Sequence, residues 1–459
     1  MKNSKIYFGT FLSLAAVSVK SAERPNILLF LSDDAGYADF GMQGSTVMRT
    51  PNIDSLAANG VRFTQGYVSS AVCSPSRSGL LTGRYQSRFG GENNLPMNSA
   101  IGLPPEETTI AEFLKNANYR SYAIGKWHQG IAEGHRPTDQ GFDHFYGFLG
   151  GSRSYLKTRG NVLNHHLIFE NETPTEEEDW YLTDRFADRA VDYLKSHQEK
   201  YSDQPFFMYL AFNAVHSPMQ ADDESLEEVS SLGIEDETRK KLAAMTVSMD
   251  RNIGKVMDAL KENGFSDNTM VIFLNDNGGP TWDNASQNTP LRGGKSSFFE
   301  GGIRVPFVIN WPQRINGGQV IDVPVISLDL FTTFASAAGL EIPEQLQLDG
   351  LDLMPLMTGN VSNFSRDEFF WRIQGSKGDA ALRKGDWKVY RMAQYDKLLL
   401  FNLAEDPYEK NDLVDSQPEK LKEMLTRLSE WEQQMKEPLY WWNQEQYEKY
   451  RTENTPAPQ

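Results

Sequence analysis

The chain has 459 residues and a mass of 51.9 kDa, enough for one large core and a smaller second domain. Its formal charge of −17 excludes broad electrostatic binding of nucleic acid, although a local basic pocket can still hold an anion. The lone cysteine, Cys73, excludes an intrachain disulfide.

Residues 1–22 carry Lys2 and Lys5, the apolar run Ile6–Val19, then Lys20-Ser21-Ala22. That order of basic, apolar and small residues predicts an export signal, with a periplasmic or secreted product. The alternative, a short membrane anchor, needs a longer run. No cysteine lies there, which excludes a lipoprotein anchor. No later segment is long and apolar enough to cross a bilayer, so no membrane span is expected in the mature chain.

Ile27–Leu31 predicts a buried strand that ends in Ser32-Asp33-Asp34-Ala35-Gly36. Pro51–Ala58 reads as a short helix stopped by Asn59-Gly60, and Ser76–Leu81 as part of another. Tyr119–Ile124 predicts a strand running into Gly125-Lys126-Trp127-His128. Thr183–His197 is an amphipathic helix, and Phe206–Phe212 a strand leading to His216. Over Glu237–Glu262, Leu242, Met245, Met249, Ile253, Val256 and Leu260 recur at helical spacing. Met270–Leu274 and Val305–Asn310 predict further strands.

Strands alternating with helices indicate an α/β fold with a largely parallel sheet flanked by helices. Past residue 360 the texture changes. Phe369–Ile373, Ala380–Leu382, Trp387–Tyr390 and Lys397–Asn402 predict short strands, and Gln417–Lys436 a terminal helix. The expected organisation is a signal over 1–22, a catalytic domain over 23–362 and a C-terminal α+β subdomain over 363–459.

Polar residues follow the strands: Asp33 and Asp34, Lys126 and His128, His216, Asp276 and Asn277. In open α/β sheets the ligand site lies outside the carboxyl ends of strands, so these groups can converge. Asp33 and Asp34 could cap a turn, and Asp276-Asn277-Gly278 could form a hairpin turn. Together they offer four hard oxygen donors, which suit Ca²⁺ or Mg²⁺. Arg77, Lys126 and Lys295 lie beside strands or glycine-rich turns, where a plain surface role is the alternative. His128 and His216 sit between strand end and loop, where histidine can move protons near neutral pH.

The run Cys73-Ser74-Pro75-Ser76-Arg77, continuing to Leu80-Leu81-Thr82-Gly83, resembles the signature of the type I sulfatases of the alkaline phosphatase-like superfamily. Gly125-Lys126-Trp127-His128 resembles their second signature. Asn275-Asp276-Asn277-Gly278, Arg292-Gly293-Gly294-Lys295 and Glu300–Pro306 follow in the family's order. The resemblance implies that Cys73 is oxidised to Cα-formylglycine (3-oxoalanine) by a formylglycine-generating maturation enzyme. It implies that Asp33, Asp34, Asp276, Asn277 and residue 73 hold one Ca²⁺. Arg77 and Lys126 would hold the formylglycine hydroxyls, and His128 would accept a proton. His216 and Lys295 would bind sulfate, with His216 the candidate acid for the leaving oxygen. One departure stands out: Gln129 follows His128 where many relatives carry leucine.

The resemblance further implies a sulfated oligo- or polysaccharide substrate, with algal polysaccharide such as ulvan favoured over glycosaminoglycan. Arg153, Tyr155, His165, Trp282 and Arg372 are candidates for holding sugar, with packing or surface exposure as the alternative for each. Two other readings are a phosphomonoester or phosphonate hydrolase of the same superfamily, and a non-catalytic sulfated-glycan-binding relative. The second predicts missing nucleophile or metal residues, and none is missing.

Overall fold

The structure is a computed structural model that describes residues 24–96, 100–157, 163, 166–176, 179–359, 364 and 366–440. The expected export signal, His165 and the C-terminal tail lie outside the described residues. Among the described residues no helix is long and apolar enough to cross a membrane.

The body is a mixed ten-stranded sheet. At its centre Thr269–Asn275, Asn26–Ser32, Phe206–Ala211 and Arg120–Lys126 lie side by side and parallel. Their near-continuous apolar sequences follow from burial on both faces. Alternation divides the side chains. Leu28 and Phe30 pack with Phe186, Leu242 and Met249, which come from the helices Leu182–Tyr201 and Glu237–Glu262. Ile27, Leu29 and Leu31 pack on the other face with Leu80, Leu330 and Phe331. Those come from the helices Cys73–Thr82 and Asp329–Ala337. Helix Glu237–Glu262 has the bounds its periodicity predicts, because the Asp236 side chain caps it through Arg239 N at 2.7 Å.

One predicted strand behaves differently. Phe307–Asn310 runs antiparallel to both neighbours, Val61–Phe63 and Thr269–Asn275, so that side of the sheet is mixed. The four C-terminal strands, Glu368–Arg372, Ala380–Lys384, Trp387–Met392 and Lys397–Asn402, form an antiparallel meander. Helix Pro418–Glu432 covers it, ending before the predicted Lys436. Trp431 stacks on Phe370 at 4.8 Å and meets Tyr85 of the body edge-on at 5.5 Å. Trp371 Nε1 donates to Val68 O at 2.8 Å. The small sheet therefore shares its core with Tyr67, Tyr85, Phe299 and Leu328 of the body.

Candidate active site

Four adjacent parallel strands end on one edge, and their loops supply the site. Ser32 pairs with Asn275, and Ala211 with both Leu31 and Gly125. This register brings Asp33-Asp34, Asp276-Asn277, Lys126 and His216 to one level. Helix Cys73–Thr82 opens at the same place, and all ten of its residues are buried. Its N-terminus adds a dipole that favours an anion at residue 73.

Both aspartates of the first pair are fully buried. Asp33 Oδ2 accepts from Lys126 Nζ and lies 3.6 Å from Arg77, and Cys73 Sγ is 3.6 Å from Asp33 Oδ1. Asp34 has a left-handed backbone (φ 60°), and its carbonyl accepts from Asn284 Nδ2 at 2.9 Å. Asp34 Oδ2 meets Lys295 Nζ at 2.7 Å and His216 Nε2 at 3.4 Å, and Oδ1 accepts from Asn277 Nδ2 at 2.7 Å. Arg77 spreads its fork: Nε reaches Asp276 Oδ2 at 2.9 Å and NH1 reaches Lys126 O at 2.9 Å.

The donor set fits a hard cation. Ligand atoms of Asp33, Asp34, Cys73 and His216 lie within 4.8 Å of one another. Asp276 Oδ1 and Asn277 Oδ1 are buried without a hydrogen-bond partner. Buried oxygens of that kind need a donor or a cation.

The charges are set by burial and by each other. Burial, aided by Asp33, pushes Asp276 up to about 6 against the pull of Arg77. Burial also raises Asp33, with Lys126 opposing. Both carboxyls thus resist carrying charge unless more positive charge arrives. Asp34 differs: burial opposes its ionisation, yet Lys295 and His216 hold it well below the carboxylate range. Burial disfavours the Cys73 thiolate, but Lys126 and Lys295 bring the thiol down to about 7. His216 resists burial because Asp34 and Asp33 raise it to about 9. Burial, with Lys126 and Arg77, holds His128 neutral, well below its usual value. Its Nδ1 is buried without a partner, and its backbone is left-handed at φ 57°. Gly151 lets the ring approach, since a Cβ there would stand 2.7 Å from it.

The outer candidates separate. Tyr155 is buried, and its hydroxyl donates to the carbonyls of Asn213 and His216, the latter at 2.8 Å. It orients the His216 segment and does not face a sugar. Arg372 is buried against Glu92 and donates to Lys436 O, which makes it a strut of the C-terminal sheet. Arg153 is buried too, with Nε on Ser154 O at 3.0 Å. Trp282 alone of these described side chains is largely exposed, at 68%. Residue-by-residue reading of the motifs missed two supports. Gln129 Nε2 donates to Ser74 O at 2.8 Å while its Oε1 accepts from Ser78 Oγ, tying the second motif to the first turn of the Cys73 helix. Tyr209 lies buried beside Arg77. Tyr209 has the alternation of a strand residue as its only sequence signal; Gln129 has its departure from leucine.

Carboxylates ringed by cations at the carboxyl edge of a parallel sheet define a hydrolase of anionic esters. The sulfatase family model matches residues 25–340, and that of the N-sulphoglucosamine sulphohydrolase C-terminal region matches 294–437. The chain is 33% identical to the N-acetylgalactosamine-6-sulfatase of Canis lupus familiaris, covering 83% of this chain and 74% of that one. It is 33% identical to Arylsulfatase A of Bos taurus, covering 92% and 89%. The solved structure of Ps i-CgsB in complex with k-i-k-neocarrahexaose superposes with a TM-score of 0.87 at 35% identity, covering 95% of this chain and 98% of that one. The chain belongs to the sulfatase family and is a sulfuric ester hydrolase.

Proposed function

We propose that this enzyme is exported and removes O-sulfate from carbohydrate, with a carrageenan-type oligosaccharide as the preferred class. The convergence of Arg77, Lys126, His216 and Lys295 on the Asp33-Asp34 pair carries the catalytic part of this reading. The likeness to a neocarrahexaose complex at 35% identity supports carrageenan within the algal polysaccharides favoured from sequence.

Asp33, Asp34, Asp276, Asn277 and residue 73 would hold one Ca²⁺. Bound there, the ion supplies a Lewis acid toward a sulfate oxygen. Residue 73, matured to formylglycine and hydrated, supplies one hydroxyl to attack sulfur and a second whose deprotonation returns the aldehyde and frees sulfate. Arg77 and Lys126 neutralise charge at residue 73. Lys295 Nζ, partly exposed beside the buried Asp34, binds a sulfate oxygen. His216 carries protons on both ring nitrogens, because Nδ1 donates to Ser217 O at 2.7 Å and Nε2 faces Asp34. Its Nε2 proton is the one to give to the leaving oxygen. His128, neutral and with Nδ1 unpartnered, accepts the proton of the collapse step.

The decisive experiment measures sulfate release by matured enzyme from defined carrageenan, ulvan and glycosaminoglycan oligosaccharides. Faster release from ulvan or glycosaminoglycan overturns the proposed sugar class. Matched aryl sulfate and aryl phosphate test the ester, and faster phosphate release removes the sulfate preference. Peptide mass spectrometry should show residue 73 lighter than cysteine; an intact thiol in active protein removes the formylglycine step. N-terminal sequencing of exported protein should begin near residue 22.

A further inference from the structure

Lys295 sits at the tip of a loop that leaves the body at Arg292 and returns at Glu300. The tip is pinned where it meets the site. Lys295 Nζ is 2.7 Å from Asp34, and Ser296, left-handed at φ 69°, donates its N–H to Ala71 O at 2.8 Å. The neck closes through Gly301 N on Arg292 O at 2.7 Å. Both sides of the neck then meet one residue of the C-terminal subdomain. Arg292 NH1 donates to Glu409 O at 2.6 Å, and Glu300 N donates to Glu409 Oε2 at 2.7 Å. Glu409 is itself buried and left-handed (φ 57°), on the turn after the last strand of the small sheet. Lys388 Nζ, buried in that sheet, locks the arrangement by touching Glu300 Oε1 and Glu409 Oε1, each at 2.8 Å.

We infer that Glu409 is a positioning residue for the reaction: it clamps both ends of the loop whose tip presents Lys295 to the sulfate. A lysine binds an anion well only if its stem is held before the anion arrives. The clamp thereby makes the C-terminal subdomain part of the sulfate site, although among the described residues the hydrogen bonds and ion pairs of the Asp33 and Asp34 carboxylates come from the body. The inference rests on the reading that Lys295 binds sulfate, and the experiment separates the two.

Glu409→Met, which removes the acceptor of the Glu300 N–H, and Arg292→Met are each made alone and in a Lys295→Ala background. Arg292 is exposed, so Arg292→Met removes one of the two ties and leaves the buried Glu300–Lys388–Glu409 cluster intact. The readouts are kcat/KM on an aryl sulfate and inhibition by inorganic sulfate, both corrected for folded fraction. With Lys295 present, each variant should lose about tenfold in kcat/KM and weaken sulfate inhibition similarly; with Lys295→Ala, each should add less than about twofold. Equal losses in both backgrounds would overturn the clamp and leave a purely structural role. If Lys295→Ala alone changes neither readout, the sulfate-binding reading of Lys295 falls and takes the clamp with it. Should Glu409→Met fail to fold, Arg292→Met decides by the same comparison.

Discussion

Lys388→Met is the sharpest test of how the two sheets are joined. Methionine keeps the apolar stem and removes the ammonium that Glu300 and Glu409 share. Breaking a buried ion pair by deleting one partner costs about 3–5 kcal/mol, because the remaining charge stays buried. Here two carboxyls are left. Burial and the neighbouring Glu300 already raise Glu409 from 4.5 to about 7 against the pull of Lys388. A carboxyl raised in the folded state adds stability that is full below its unfolded value and is lost as pH rises through its folded value. For Glu409 that window runs from about pH 4.5 to 7, and the displacement weighs on the order of 3 kcal/mol. Without the lysine the folded value rises further, so the deficit of the variant should be greatest near pH 8 and smaller near pH 5, where Glu409 keeps its proton. Urea denaturation followed by tryptophan fluorescence reports this directly, since the Trp371 ring lies 5.8 Å from Lys388 Nζ. A loss below about 1 kcal/mol at pH 8, or equal losses at both pH values, would refute the reasoning.

Cys73→Ser should fold with an unchanged far-UV spectrum yet lose nearly all turnover, because serine has one hydroxyl where the matured residue offers two. Calcium chelation should lower activity and melting temperature together, and Ca²⁺ at one hundred times its Kd should return about 2.7 kcal/mol of stability. Asp250, raised to about 6 by burial, accepts from Asn52 N at 3.1 Å and Ile53 N at 2.9 Å, where helix Pro51–Ala58 begins. Its raised value means stability falls as pH climbs from about 4 to 6, and Asp250→Asn should flatten that slope in a pH series of denaturation curves.

What could be read from sequence followed the range of the forces involved. Helix Pro51–Ala58 and strand Lys397–Asn402 match their expected bounds, because caps and apolar runs are local. The direction of Phe307–Asn310 was not legible, since its partners Val61–Phe63 and Thr269–Asn275 are far away in sequence. Strand His144–Phe148 escaped notice because Gly147 interrupts its apolar pattern. A Cβ on Gly147 would stand 1.9 Å from Gly125 O, so the paired strand demands glycine. The motif residues were legible because most follow a strand end or lie in the Cys73–Thr82 helix, and Lys295 follows a Gly-Gly turn. Arg372 and Tyr155 were misplaced toward the sugar because a buried polar group looks the same in sequence as a ligand-facing one. Their partners, Glu92 and Lys436 O for Arg372 and the Asn213 and His216 carbonyls for Tyr155, are remote in sequence and show where they are spent.

The meeting of Glu409 with both ends of the Lys295 loop also has a biosynthetic side. A ribosome adding about 5–20 residues per second needs roughly 4–18 s to travel from codon 321, where the last strand of the main sheet ends, to codon 409. During that interval the nascent chain already contains every strand of the main sheet but not the turn that holds the loop. A premature stop between those codons would therefore leave a polypeptide with all the signature motifs and a slack rim, easily mistaken in a genome for an intact gene product.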